Sequence, residues 1–246
     1  MWASLPMYDR PELVEAHDRF WAFMRDGLRE AGVSAPDVLE RGERAFVWDD
    51  PAMLLSQTCG MPFRVGLHRR VSLIGTPDYG VEGCPPGFYQ SVLVVRAGNK
   101  QSLAQLLEDG AIAFNMRYSQ SGFAALHGHA ATLGYAIDPQ VETGAHHASA
   151  KTVAEGGADL AALDAVSWRF MQRYDDFASE LMVLDSTKPT PGLPLVTAFP
   201  DHVPVLQTAY TSALQSLSDV DREALGIGGL VAIPHDIYMA EAGPHG

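Results

Sequence analysis

The sequence predicts an α/β architecture built as two lobes, each a mixed sheet flanked by helices, and three observations carry that expectation. Short apolar runs rich in β-branched residues alternate with helical patterns along nearly the whole chain, the arrangement that builds sheets covered by helices. The run Ser91–Arg96 (Ser-Val-Leu-Val-Val-Arg) is the most strand-like segment and reads as a crossover. The proline-rich stretch Thr187-Lys188-Pro189-Thr190-Pro191-Gly192 reads as the return to the first lobe.

Taken in order, a short strand is expected at Ala3–Met7, then Tyr8 and a helix starting near Pro11. Leu13, Ala16, Phe20, Phe23, Met24 and Leu28 recur at helical spacing, and Gly32 stops the pattern. Ala52–Gln57 and Val71–Gly75 read as core strands that end in Thr58 and Thr76. Ligands of open α/β sheets bind beyond the carboxyl ends of strands, which makes Tyr8, Thr58 and Thr76-Pro77-Asp78-Tyr79 candidate wall residues. A tyrosine or threonine after a strand is more often a turn or packing residue. After the crossover come a helix at about 103–108, a strand at Ala111–Asn115 and a helix from Ser119–Gly122 to about Leu133, closed by Gly134. A strand at Gln140–Thr143, a helix at Ala148–Ala154 and a strand at Leu160–Leu163 closing on Asp164 follow. The tail of the pattern is a helix from Ser167 to about Phe177, a strand at Glu180–Leu184, and helices at about 204–217 and 219–225.

With 246 residues, 47% hydrophobic and 19% charged, the chain can bury a sizeable core. A formal charge of −13 argues against general affinity for nucleic acid or anionic lipid, which depends on summed positive charge. It leaves open a small anion held by aimed N–H and hydroxyl donors. No apolar run reaches the roughly 20 residues a bilayer span needs, so no membrane insertion is expected. The segment Met1–Tyr8 has no positive leader or apolar stretch; the expectation is a cytoplasmic protein if the chain is full length and a periplasmic one if a leader has been removed. Cys59 and Cys84 each follow a strand reading in one lobe, so a disulfide between them is geometrically compatible, with two unrelated thiols the plainer alternative. No cysteine and histidine set suits structural zinc.

The strongest local feature is Asn115-Met116-Arg117-Tyr118-Ser119-Gln120-Ser121-Gly122-Phe123, between a strand and a helix. One serine there is explained by capping. Two serines and a glycine offer more: free N–H donors, the positive end of the helix dipole, and a residue without a side chain where an anion can approach. Thr143-Gly144-Ala145-His146-His147 is the second feature, and one of its histidines could donate to a bound anion. Adjacent histidines, and the pair His127 and His129 two apart on a helix, point apart, so no metal site is expected. Asp164 and Asp185 are the carboxylates placed to face a cleft, with capping of the next helix the alternative. A hydrolase is disfavoured because the Gly-x-Ser-x-Gly elbow fails at Ser119 and Phe123, and no Gly-x-x-x-x-Gly-Lys-Ser/Thr or Gly-x-Gly-x-x-Gly phosphate loop exists.

As an ordered set, Ser56-Gln57-Thr58-Cys59-Gly60 with Pro62-Phe63, Phe88-Tyr89-Gln90-Ser91, Ser119-Gln120-Ser121-Gly122-Phe123, and Gly144-Ala145-His146 with Val153, Gly156, Ala158, Asp159 and Asp164 resembles the phosphate/phosphite/phosphonate-binding proteins of ABC transporters. The resemblance runs from Ala3 to about Tyr238 and implies the type II periplasmic-binding-protein fold. It places ligand-binding roles on Ser119, Ser121, His146 and Asp164, with Tyr8 similar to a tyrosine after the first strand; Gln120 stands where relatives commonly carry a hydroxyl. The expectation is therefore a solute-binding protein without catalysis or cofactor, taking a small oxyanion at Tyr8, Thr58, Ser119, Gln120, Ser121, Gly122, His146 and Asp164. Residues 1–90 with 190–246 would form one lobe and 91–189 the other, with hinge closure between them and an ABC permease as partner. The alternative is an enzyme or sensor on the same fold, acting on a phosphorylated or amino-acid-like metabolite.

Overall fold

Val92, Leu93, Val94 and Val95 are all buried, and their side chains leave the strand alternately to its two faces. Val92 and Val94 join one apolar cluster with Ala150, Val153, Trp168 and Met171. Leu93 and Val95 join another with Leu106, Leu126 and Ala130. A strand buried on both faces needs helices on both, and burying each such side chain contributes about 1.5–3 kcal/mol.

The computed structural model describes residues 1–241, which divide into two units: Met1–Glu82 with Pro191–Ala240, and Gly83–Thr190 with Glu241. In the second unit the strands lie in the order Val141–Glu142, Ile112–Phe114, Leu160–Asp164, Ser91–Arg96, Leu181–Ser186. Ser91–Arg96 runs antiparallel to both neighbours, whereas Val141–Glu142, Ile112–Phe114 and Leu160–Asp164 are mutually parallel. Their carboxyl ends therefore share one edge, which carries Asn115, Thr143 and Asp164. Helices Leu103–Asp109, Ala125–Thr132, His146–Ala154 and Ala165–Tyr174 flank the sheet.

The first unit orders its strands as Trp2–Ala3, Met53–Gln57, Leu195–Thr197, Ser72–Asp78, Gly229–Val231. Phe20, Trp21, Met24 and Leu28 of the Val14–Glu30 helix meet Leu206, Tyr210 and Leu214 of the Val203–Ser216 helix and Leu55 and Ile74 of the sheet. Phe20 and Tyr210 stack edge to face at 5.0 Å between centroids. Phe23, expected on the apolar stripe, is 45% exposed.

Two expectations are corrected here. The first strand is only Trp2–Ala3, and a turn begins at Pro6, whose nitrogen has no proton to donate to a ladder. The strand expected to end at Gly75 continues to Asp78 because Gly229–Val231 pairs with Thr76, Pro77 and Asp78. Thr76 is consequently a packing residue, buried and hydrogen-bonded to the Tyr238 hydroxyl, and not an open wall residue. No helix among the described residues is long and apolar enough to cross a membrane.

Candidate functional site

Ser119 leaves the Met116–Tyr118 turn in an extended conformation (φ −86°, ψ 131°) and its Oγ accepts the Gly122 N–H at 3.0 Å. That cap accounts for one of the donors exposed at a helix start. The first turn, Gln120–Ala124, is a wide π turn in which the Ala125 N–H reaches the Gln120 carbonyl. Such turns displace side chains from the ordinary helical spiral. Ser119, Gln120 and Ser121 are each 3% exposed.

Ser121 faces the sheet edge. Its Oγ lies 2.8 Å from His146 Nε2, its carbonyl accepts the Ser91 hydroxyl at 2.8 Å, and Asn115 Nδ2 stands 3.4 Å from the same His146 nitrogen. The loop carrying His146 is tied to the Asn115 strand end: the Thr143 and Gly144 N–H groups donate to the Phe114 and Asn115 carbonyls at 2.9 and 2.8 Å. Gly122 has no room for a side chain. A Cβ there would stand 2.9 Å from Asn115 Cγ and 3.1 Å from His146 Cε1.

His146 as a residue is half-buried, but its Nδ1 is enclosed, and among the described residues neither that atom nor Asn115 Oδ1 has a hydrogen-bond partner. Burial pushes the imidazole down to about 4. The ring is thus neutral at pH 7. Since an unfolded histidine titrates near about 6.5, the stability gained by keeping the ring neutral is complete above that pH and is lost as pH falls from 6.5 through about 4. His17, also depressed mainly by burial, adds a loss of the same sign. Urea unfolding at pH 7 and pH 5 is expected to show a larger drop for the wild type than for His146→Gln. Equal drops would place the His146 titration near its ordinary value.

The other expected site residues fall in different settings. Asp164 caps the Ala165–Tyr174 helix, its Oδ1 accepting the Val166 and Ser167 N–H groups at 2.8 Å each. It is 2% exposed and paired across the ladder with Ser91, so it is linked through Ser91 to Ser121. Tyr8 and Thr58 belong to the first unit and are buried. Tyr8 packs edge to face on Tyr79 at 4.8 Å, and the Thr58 N–H donates to the Pro194 carbonyl at 3.0 Å. His147 turns toward Asp175, at 3.4 Å, and the Phe177 ring. Asp185 holds His129 at 3.1 Å. His127 packs on Phe123 at 4.4 Å between ring centroids. Cys59 and Cys84 are free thiols, the plainer of the two readings, and the compatible bridge is not formed; they belong to different units. Among the described residues no group of three or more His, Cys, Asp or Glu could hold a metal ion.

Asn115 opens the strongest local feature of the sequence and Ser91 ends its Phe88–Ser91 set, but neither is assigned a site role from the sequence. The signal available was position alone, Asn115 directly after a buried strand and Ser91 at the start of the crossover strand.

The sequence model of a family described as "ABC transporter, phosphonate, periplasmic substrate-binding protein" matches residues 67–234, more than half of the chain. No curated protein sequence matches. Among solved structures, a Xanthomonas citri protein bound to chloride ion is 16% identical, with 99% of this chain and 97% of that one covered and a TM-score of 0.72. PhnD1 from Prochlorococcus marinus in complex with methylphosphonate is 15% identical, covering 96% of this chain and 94% of that one, with a TM-score of 0.70. The binding protein component of an ABC phosphonate transporter from Pseudomonas aeruginosa is 14% identical, covering 97% and 82%, with a TM-score of 0.68. At these identities the likeness is one of fold, and that fold is the two-lobed periplasmic-binding-protein type.

Proposed function

Since this chain belongs to the family of periplasmic substrate-binding proteins of phosphonate ABC transporters, we propose that it captures a small oxyanion of the phosphonate or phosphate type on the Ser119–Gly122 helix start and delivers it to an ABC permease. Solute binding without catalysis is the role of the family, and this reading extends it to a ligand class and to particular residues.

The observation that carries it is the 2.8 Å contact between Ser121 Oγ and His146 Nε2 at the buried start of the helix. A neutral imidazole that carries its proton on Nε2 donates it to Ser121 Oγ, which leaves the hydroxyl proton free for an oxyanion. The anion then gains a charge-assisted hydrogen bond together with the positive end of the helix. Because the ring is neutral, recognition rests on aimed dipoles rather than on a net positive charge, consistent with a chain of formal charge −13. Asp164 fixes the neighbouring strand end.

In a thermal-shift and turnover assay, methylphosphonate or phosphate is expected to raise the unfolding temperature in a concentration-dependent way and to be recovered unchanged. Consumption of the stabilising compound would instead favour an enzyme on this fold. No stabilisation by phosphonates, phosphate or phosphite would remove the oxyanion reading.

A further inference from the structure

The Ser119–Gly122 seat is small, yet the flank of the helix it opens is not. A cavity of about 760 Å³ lies wholly within the second unit, and Gln120, Phe123, Ala124, Gly128, Ala131 and Tyr135 line it. Gln120 belongs both to this lining and to the buried first turn, between the capping Ser119 and the His146-bonded Ser121. The cavity therefore adjoins the proposed seat through Gln120, whereas Ser119, Ser121 and Gly122 do not line it. Its volume falls in the roughly 300–1,000 Å³ range of sites that enclose whole organic ligands, far beyond what a tetrahedral oxyanion fills.

The chemistry of the lining narrows the occupant. Phe123, Ala124, Ala131 and Tyr135 supply an apolar surface along one side of the helix. The polar groups around it are largely engaged with one another: Lys188 with Glu241 at 3.5 Å and His129 with Asp185 at 3.1 Å. Arg117 lies over the Phe114 and Phe123 rings at 5.6 and 5.5 Å, and Asp138 stands at the exposed rim. An uncharged, flat substituent fits this lining; of the two carboxylates that line it, Glu241 is already paired with Lys188 and Asp138 lies at the exposed rim.

We infer that the ligand is an organophosphonate whose apolar or aromatic substituent occupies the cavity beside Gln120, with the phosphonate group on the helix start. This rests on the reading of the Ser119–Gly122 segment as the anion seat and adds the class of the substituent. It makes Gly128 and Ala131 specificity-determining positions, since both are exposed on the cavity side and lie outside the seat. A Cβ added at Gly128 meets no atom within 4 Å, so larger side chains there fill the cavity without disturbing the core.

Calorimetric titrations of the full chain with methylphosphonate, 2-aminoethylphosphonate and phenylphosphonate test this, using the wild type and the Gly128→Leu/Ala131→Leu double variant. Phenylphosphonate is expected to bind the wild type about 10-fold more tightly than the other two, on the order expected for burying one ring. The double variant is expected to lose that advantage while its methylphosphonate affinity stays unchanged and its urea midpoint does not fall, replacement of a helix glycine acting if anything to raise it. Equal affinities in the wild type, a preference for the aminoethyl compound, or a phenyl preference that survives in the double variant would overturn the inference while leaving the oxyanion seat standing. Absence of binding by all three compounds would overturn both, and a phenylphosphonate signal unaffected by Ser121→Ala would detach the cavity from the seat and overturn the inference as stated.

Discussion

Replacing Ser121 with alanine is expected to weaken methylphosphonate binding by about 10- to 100-fold, the loss of a hydrogen bond to a charged group worth about 1.5–3 kcal/mol. The expectation comes from the partner set of this hydroxyl. His146 Nε2 is 2.8 Å away, and the Ser121 carbonyl is held by Ser91 at the same distance, so the side chain is positioned before any ligand arrives and little ordering remains to oppose binding. Alanine also leaves Nε2 with only the longer 3.4 Å approach of Asn115. The fold should survive, because the Ser91 contact is to the backbone and persists. Ser119→Ala is the informative contrast: its Oγ caps the Gly122 N–H, so it should cost about 1 kcal/mol of stability and reduce affinity less. Isothermal titration with methylphosphonate measures the first effect and urea unfolding the second. A Ser121→Ala dissociation constant within about twofold of wild type would sink the assignment of this hydroxyl to the ligand, since even the weakest hydrogen bonds to ions contribute more.

How far the sequence reveals this molecule depends on whether the determinants are local. The Ser91–Arg96 strand has the same bounds in the structure as in the pattern, because a run of β-branched residues buried on both faces leaves no competing reading. The Asp219–Leu225 helix does too: Ser218 caps it and Gly226 ends it in the left-handed region at φ 66°. By contrast, Leu195–Thr197 and Gly229–Val231 carry almost no strand signal in three residues each. They are strands because Met53–Gln57 and Ser72–Asp78 offer them free edges, a tertiary cause that local composition does not express. The helix His235–Met239 is of the same kind, since Tyr238 is anchored by its hydroxyl to Thr76 and to the Gly192 carbonyl.

The site follows that division. The serine-glycine cluster before an apolar helix is visible from composition alone, as is the presence of two adjacent histidines. Which histidine turns inward is not, because it depends on the Thr143 and Gly144 amides binding the Phe114 and Asn115 carbonyls and so setting the phase of the next helix. Asp164 shows the opposite limit. Its place at a strand end suggested a ligand contact and a cap equally, and two 2.8 Å bonds to the Val166 and Ser167 amides commit one of its oxygens to the cap.

Gly122→Ala sets two effects of known sign against each other, and the magnitudes decide between them. Gly122 does not have positive φ, so helix propensity by itself predicts that alanine stabilises by about 1 kcal/mol. Space predicts the reverse. The new methyl would overlap the Asn115 amide and crowd His146 Cε1 at 3.1 Å. Asn115 is short, 7% exposed and fixed by the strand it ends, so it cannot swing away as a long surface side chain would. Overpacking of this kind costs about 1–3 kcal/mol, which offsets or outweighs propensity and leaves a net destabilisation of up to about 2 kcal/mol in urea unfolding. The effect on binding should be larger, because the clash pushes His146 away from Ser121 and directs a methyl at the place where the oxyanion approaches the backbone; methylphosphonate affinity is expected to fall more than about 10-fold. Asn115→Ala combined with Gly122→Ala separates the two consequences. Trimming the amide relieves most of the overlap and should restore much of the stability, while binding stays impaired because the methyl still occupies the seat. A Gly122→Ala protein more stable than wild type and with unchanged affinity would mean that the helix start, Asn115 and His146 do not meet as closely as the geometry places them.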